Sequence, residues 1–213
     1  MARGKGKKDI DVTDLELDAL KESVSIGAGN AATALSKLAK KTIHMSIPNA
    51  VAMPVTDIPS AIRPDAERVI VRINVLGDAS AAILITMSTR AARGIADILL
   101  EGEKDKVGSG ADQFSQMDIS VLQEVASIMA GNYLSALTTF TKMDLRSSVP
   151  FLAVDRNGDV VKRTVDELAG KASHALVLGS ELSEEGKVIS LEFFLIPTQD
   201  ALSRIVAALQ KKV

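Results

Sequence analysis

Apolar positions recur every three or four residues in the segment that follows Thr13, which is typical of an amphipathic helix. Thr13 and Glu16 form a capping-box pattern, so the helix is predicted to begin there. The apolar stripe comprises Leu17, Leu20, Val24, Ala28, Ala31, Leu35 and Leu38. At 100° per residue, a separate strip carries Asp18, Glu22, Ser25 and Gly29. The pattern therefore predicts a helix with one packing face and one polar face.

Two glycines inside this helix predict a close contact. Gly27 and Gly29 each weaken a helix by about 1 kcal/mol relative to alanine. We expect another backbone to approach them closely in compensation.

The pattern changes to alternation after the helix. Residues 43–47 alternate apolar and polar side chains, which predicts a strand. Residues 69–75 and 81–87 alternate or are apolar, and the turn at Gly77-Asp78 joins them into a predicted hairpin. Ser88 then caps a predicted helix that ends near Leu100. The order of this unit is helix, strand, hairpin, helix.

The same unit occurs a second time. The stretch Glu22-Ser23-Val24-Ser25-Ile26-Gly27-Ala28-Gly29-Asn30 returns at a constant offset as Glu124-Val125-Ala126-Ser127-Ile128-Met129-Ala130-Gly131-Asn132. The helix caps Thr13 and Ser115 keep this offset, and so do Pro48 and Pro150. On the second helix the polar strip carries Ser120, Glu124, Ser127 and Gly131. A repeat of this length indicates two copies of one structural unit.

The two copies predict an α/β (α+β) fold. We expect two pseudo-symmetric repeats, residues 13–101 and 115–213, to share one sheet of about six strands covered by helices, because a lone hairpin leaves an open edge. The charged, glycine-rich segment 102–114 is the predicted linker. Residues 1–12 are basic and are predicted to be a disordered tail. The organisation is thus one domain, 13–213, behind a short tail.

Composition narrows the classes of function. The 213 residues carry a formal net charge of -2, whereas a nucleic-acid surface normally has a basic excess. No apolar run is long enough to cross a bilayer, so we expect a soluble, cytoplasmic protein without membrane insertion. Cysteine is absent and there are two histidines, which argues against a metal centre. We predict no metal and no cofactor of its own.

The doubled polar strip has a recognisable spacing. Asp18-x3-Glu22-x2-Ser25-x22-Pro48, and again Ser120-x3-Glu124-x2-Ser127-x22-Pro150, resembles the signature of the CheC, CheX and FliY chemotaxis phosphatases. In that family the order is Asp or Ser, then Glu, then Asn, then Pro. The segment from Ile26 to Ser36 is especially similar to CheC. The resemblance extends from about Asp11 to the C-terminus.

The resemblance implies a function and partners. Members of this family hydrolyse the phosphoaspartate of the response regulator CheY, and the regulator supplies the Mg²⁺. The glutamate engages the regulator, the asparagine orients the attacking water, and flat backbone beside them admits the partner helix. On this basis Glu22, Ser25, Glu124 and Ser127 are the candidate catalytic residues, and Asp18, Gly29, Ser120 and Gly131 the candidate docking residues. CheD, a receptor deamidase, is a further partner that the resemblance implies.

Both asparagine positions of the family signature are serine here, Ser25 and Ser127. A serine hydroxyl can bind water, but it is shorter than a carboxamide and lacks its fixed plane. Asn30 and Asn132 lie about 140° further round the helix, and we interpret them as packing or interhelical hydrogen-bonding residues. The alternative to a phosphatase is therefore a non-catalytic protein. It would sequester phosphorylated CheY, regulate CheD or belong to a flagellar or archaellar switch.

Overall fold

The two polar helices form as their sequence patterns predict. The structure, a computed structural model, describes residues 13–62, 67–100 and 114–210. Helix α1 (Asp14–Ala39) begins with a capping box, in which the Glu16 N–H donates to Thr13 Oγ1 and the Thr13 N–H donates to Glu16 Oε2. Helix α4 (Gln116–Thr141) begins with the same arrangement at Ser115, closed by Asp118. Each helix has 26 residues and is followed by a lysine in the left-handed conformation.

The remaining elements complete the two repeats. In the first, strand β1 (His44–Pro54) leads through a 3-10 turn into the short helix α2 (Ile58–Ala61). The hairpin β2 (Arg68–Gly77) and β3 (Ala81–Ser88) and helix α3 (Thr89–Leu99) follow. The second repeat has β4 (Leu145–Ser147), β5 (Phe151–Asp155), helix α5 (Asp159–Leu168), the hairpin β6 (His174–Glu184) and β7 (Lys187–Pro197), and helix α6 (Gln199–Gln210).

The sheet exchanges strands between the repeats. Within the described residues it has seven strands, in the order β1-β6-β7-β3-β2-β4, with β5 also on β2. The two hairpins meet at the centre, where β3 and β7 pair antiparallel. Each hairpin is then extended by the other repeat, because β1 pairs with β6 and β4 and β5 pair with β2. Each repeat thus completes the sheet of its partner.

Helices cover both faces of this sheet. The larger core lies between one face and helices α1, α3, α4 and α6, and it includes Leu20, Leu122, Ile83 and Phe193. The smaller core lies on the other face under α2 and α5, around Ile58, Val161 and Phe194. Burial of these side chains, at roughly 25 cal/mol per Å² of apolar area, is the main stabilising contribution. The polar strips of α1 and α4 face away from the larger core.

The predicted fold class is confirmed, with two differences in detail. The extended segment of repeat two is split into β4 and β5 around Pro150, which gives seven strands where about six were expected. Helix α5 was missed, since the segment after Gly158 was assigned to loops. The predicted tail 1–12 and all but the last residue of the predicted linker 102–114 lie outside the described residues.

Candidate functional site

The predicted site residues lie on the outward faces of α1 and α4. Asp18, Glu22, Ser25 and Gly29 are all exposed on α1. On α4, Ser120, Glu124 and Gly131 are exposed and Ser127 is half-buried. The structure therefore brings each set of four together on one helix. Among the described residues, neither Glu22 nor Glu124 has an ion-pair or hydrogen-bond partner, so both carboxylates are free to contact another molecule.

The glycines of the strips differ in their surroundings. A Cβ added to Gly27 would lie 2.7 Å from the carbonyl oxygen of Asn132, so α1 and α4 cross with their backbones in contact. The same test finds no neighbour within 4 Å at Gly29 or Gly131. The expectation of a close backbone is confirmed for Gly27 and wrong for Gly29. Gly29 and Gly131 instead leave flat, open patches one helical turn beyond the two serines.

Tyr133 packs between the crossing of the two helices and the sheet. Its ring is buried against Phe193, with the ring centroids 4.9 Å apart, and its Oη lies 3.3 Å from Ser180 Oγ. Burial raises the pKa of Tyr133 to about 12, although the hydrogen bond with Ser180 opposes this shift. The phenol therefore stays neutral at physiological pH and serves the packing of the helices.

The interpretation of the two asparagines needs correction. Asn30 is exposed and does not pack between the helices. Asn132 Nδ2 donates to the Ile128 carbonyl of its own helix, at 2.7 Å, and makes no bond to α1 through this group. The interhelical contact at this point is made by the Asn132 backbone against Gly27.

Each motif proline is attached to its polar helix by a hydrogen bond. In repeat one, Lys21 Nζ donates to the Pro48 carbonyl at 2.7 Å. In repeat two, Gln123 Nε2 donates to the Pro150 carbonyl at 3.1 Å. Lys21 and Gln123 occupy the same place in the two repeats, directly before the glutamate. Neither residue was predicted from the sequence, although their shared position in the repeat was a usable signal.

A shallow groove of about 480 Å³ lies beside the polar strip of α4. It is bounded on one side by the helix and on the other by the interruption between β4 and β5. Its lining residues are Ser120, Gln123, Glu124, Ser127, Ser147, Ser148, Val149 and Pro150. The groove joins the candidate carboxylate, the candidate hydroxyl and the motif proline of repeat two in one surface.

The two candidate hydroxyls are in different states. Ser25 Oγ donates to the Lys21 carbonyl at 2.7 Å, which commits its only hydrogen to its own helix. Ser127 Oγ has no hydrogen-bond partner in the part of the chain that the structure describes. A water at Ser127 therefore meets a hydroxyl that can donate or accept, whereas Ser25 in this rotamer can only accept.

The strand beside each helix also differs between the repeats. In repeat one, β1 continues past Pro48 with a register shift between Ser46 and Asn49, and Ile47 is only 5% exposed. In repeat two the strand stops at Ser147 and resumes at Phe151. Val149, at the position of Ile47, is 87% exposed and lines the groove.

Two other kinds of feature, a metal site and a membrane-spanning helix, are absent from the described residues. They contain no group of three or more His, Cys, Asp and Glu side chains placed to hold a metal ion. Within the same residues, no helix has the length and apolar character needed to cross a membrane.

Comparison with known proteins agrees with this geometry. A model of the CheC-like family matches residues 15–51, which span α1 from its first turn through Pro48 to strand β1. The CheY-P phosphatase CheC of Bacillus subtilis is 26% identical over 202 residues, which cover 93% of this chain and 95% of the relative. The chain is therefore similar to the CheC-like family.

A second protein that this chain resembles is the flagellar motor switch phosphatase FliY of Bacillus subtilis. It is 27% identical over 173 residues, which cover 79% of the chain but 44% of the longer relative. The crystal structure of Thermotoga maritima FliY has the same fold, with a TM-score of 0.74 at 20% identity, and the match covers 96% of this chain and 100% of that one. The fold, and the similarity to CheC and FliY, thus agree with the sequence-based prediction.

Proposed function

We propose that this CheC-like chain docks phosphorylated CheY and promotes hydrolysis of its phosphoaspartate, with the site on α4 as the main one. The relatives that carry phosphatase names support the reaction class. The observation that carries the proposal for α4 is the groove in which Glu124, Ser127 and Pro150 meet. An exposed helix face alone is a common feature of proteins, whereas a lined groove with an unpaired carboxylate and hydroxyl is more specific.

Hydrolysis of a phosphoaspartate requires few chemical groups from the helper protein, because the acyl phosphate is already reactive. Water attacks phosphorus, the new P–O bond forms in line with the breaking bond to the aspartyl oxygen, and that carboxylate leaves. The proton of the water passes to the released phosphate or to solvent. The helper gains rate by holding the water and excluding other geometries. Ser127 would orient the water, and Glu124 would hold the regulator.

The metal in this proposal belongs to the regulator. An acyl phosphate with Mg²⁺ is already activated, so the helper supplies no metal and no cofactor. Asp18 and Ser120 border the two glutamates, and Gly29 and Gly131 leave room for the backbone of the approaching regulator. We assign these four residues to docking.

The test is the rate of phosphate release from phosphorylated CheY with and without this protein. We expect faster release with the wild type, and loss of the acceleration in the double variant Glu22→Ala plus Glu124→Ala. Circular dichroism and thermal melting of the variant serve as folding controls, because both glutamates are exposed. A decay rate that the wild type leaves unchanged would rule out the phosphatase.

One observation favours a second function. Serine replaces the family asparagine at both sites, and Ser25 is bonded to its own helix. A non-catalytic protein that sequesters phosphorylated CheY, regulates CheD or joins a switch assembly would keep the docking glutamates without needing a carboxamide.

Restoring the carboxamides separates the two functions. If the protein only binds, the wild type should leave the rate of phosphate release unchanged, whereas Ser25→Asn plus Ser127→Asn should create phosphatase activity. Binding of a phosphorylated-state CheY mimic should stay within about threefold of the wild type. A wild type that already matches the double variant in rate would contradict the binding-only function.

A further inference from the structure

Each polar helix donates a hydrogen bond to the carbonyl of its motif proline. We propose that Lys21 and Gln123 are positioning residues, which hold the proline segment at a fixed distance from the glutamate and serine of each site. This inference deepens the proposed function and rests on it for the docking step. The structural part, that these bonds fix the segment, stands independently of that function.

The bond recurs in the two repeats with chemically different donors. Lys21 and Gln123 share neither charge nor shape, yet each places a nitrogen on the carbonyl of the proline at the equivalent position. What the two side chains have in common is an N–H donor with the length to reach this carbonyl. The geometry thus retains the donor where the residue type has changed.

The acceptor of each bond lies where the sheet is irregular. Proline has no N–H, so it cannot donate to a sheet ladder and is found at bulges and edges. Pro48 lies within the register shift of β1, between Ser46 and Asn49, and Pro150 ends the gap between β4 and β5. At both places the regular ladder is interrupted.

In repeat two Ser148 is still held by β2, since its N–H donates to the Asn74 carbonyl at 2.8 Å and its Oγ accepts from the Asn74 N–H at 3.0 Å. The hydrogen bond from the helix therefore adds a tie at Pro150 itself.

In repeat two the bond connects the two walls of the groove. Gln123 precedes Glu124 on the helical wall, and Pro150 lies between Val149 and the start of β5 on the opposite wall. The 3.1 Å bond between Gln123 and Pro150 therefore sets the separation of the walls. Loss of the donor leaves Val149 and Pro150 free to move relative to Glu124, while Ser148 stays bonded to Asn74 of β2.

The chain offers its own rescue variants for a test. Gln123→Met keeps an unbranched, helix-favouring side chain of similar length but removes the donor. Gln123→Lys introduces the donor that repeat one uses. Lys21→Met and Lys21→Gln form the matched pair in repeat one.

Amide hydrogen exchange of residues 145–152 in the free protein tests the tie without any partner. A net hydrogen bond corresponds to about a fivefold equilibrium change, so we expect Gln123→Met to speed exchange in this segment about threefold to tenfold. Gln123→Lys should return exchange to the wild-type rate. Exchange that Gln123→Met leaves unchanged, or that Gln123→Lys fails to restore, would overturn the proposal whether or not the protein is a phosphatase.

Docking and turnover test the consequence for the site. We expect Gln123→Met to raise KM or lower kcat for phosphorylated CheY about threefold to tenfold, with Tm lowered by no more than about 4 °C, and Gln123→Lys to restore both. A second salt concentration controls for the charge of the introduced lysine. Faster local exchange with unchanged KM and kcat would reduce the bond to a purely structural one and refute the positioning role.

A wild type that does not accelerate phosphate release separates the two proposals. That result would reject the proposed phosphatase, while the exchange measurement would still decide whether Lys21 and Gln123 hold the proline segments.

Discussion

The polar faces of α1 and α4 share the Glu-x2-Ser spacing and the distance to proline, but they differ in what surrounds them. On α4 a groove holds Glu124 beside Ser127, whose hydroxyl is unpaired within the described residues. On α1 the Ser25 hydroxyl is bonded to the Lys21 carbonyl, and β1 runs on beside the helix. The same motif therefore has two environments. The motif alone does not define a site, because the adjacent strand and the hydrogen bonding of the serine differ between the repeats.

The largest expected effect comes from removing the two glutamates one at a time. If α4 carries the main site, Glu124→Ala should lower the CheY-dependent phosphate release about tenfold or more, because a docking carboxylate is lost from the better-formed site. Glu22→Ala should leave more than half of the activity. The measurement is phosphate release at subsaturating phosphorylated CheY.

Equal sites would give a different result in the same experiment. Each single variant would then keep about half of the activity, and only the double variant would lose it. Such additivity would contradict the inequality that the groove and the Ser127 hydroxyl indicate.

The crossing of the helices gives the next effect, on stability. A Cβ at Gly27 would approach the Asn132 carbonyl to 2.7 Å, so Gly27→Ala should lower the free energy of unfolding by about 1–3 kcal/mol through overpacking. Gly131→Ala is the matched control, since nothing lies within 4 Å of its Cβ and alanine favours the helix. It should raise the free energy of unfolding by up to about 1 kcal/mol.

Urea denaturation measures both glycine variants. A loss of stability of the same size in both would contradict the close crossing, because only one of the two positions contacts another backbone. The result matters for the comparison of the sites because Gly27 belongs to α1 and its contact to α4. The helices that carry the two polar faces are thus joined by a direct backbone contact at this crossing.

The sequence predicted the elements better than their pairing. The capping residues Thr13 and Ser115 located both long helices, because a cap is a local interaction that residues three apart determine. Strand β1 pairs with the hairpin of repeat two, and β4 and β5 pair with the hairpin of repeat one. These pairings join residues far apart in the sequence, and no local pattern encodes which hairpin an outer strand joins. The predicted sheet was right in class while its strand order had to come from the structure.

The groove at the site could not be predicted from the sequence for the same reason, because it depends on long-range strand pairing. Ile47 and Val149 are both β-branched and apolar, and they precede the motif proline in the same way. Their opposite exposure follows from a continuous β1 in one repeat and an interrupted strand in the other. Nothing in the residue types distinguishes them, so the groove could not be predicted. Lys21 and Gln123 escaped notice because repeat comparison by residue type overlooks a conserved donor.

A smaller effect is expected from carboxamides introduced singly. Ser127→Asn should raise the phosphatase rate about tenfold, since the longer side chain carries two donors and an acceptor into an existing groove. Ser25→Asn should raise it less than about threefold, because the α1 face lacks the comparable wall in which a water is held. Single-turnover phosphate release with each variant measures the difference. A larger gain at Ser25 would reverse the ranking of the two sites.

The smallest effect is expected at Val149, whose side chain is 87% exposed at the rim of the groove. Partial burial of this side chain against a docked regulator is worth about 1 kcal/mol, so Val149→Ser should weaken binding of phosphorylated-state CheY about fivefold. Stability should not change, since the side chain has little to lose on unfolding. Ile47→Ser is the opposing control: at 5% exposure it should lower the free energy of unfolding by about 2 kcal/mol or more. Fluorescence-detected binding that Val149→Ser leaves unchanged would show that the regulator does not reach the rim, and the difference between the two strands would then have no part in docking.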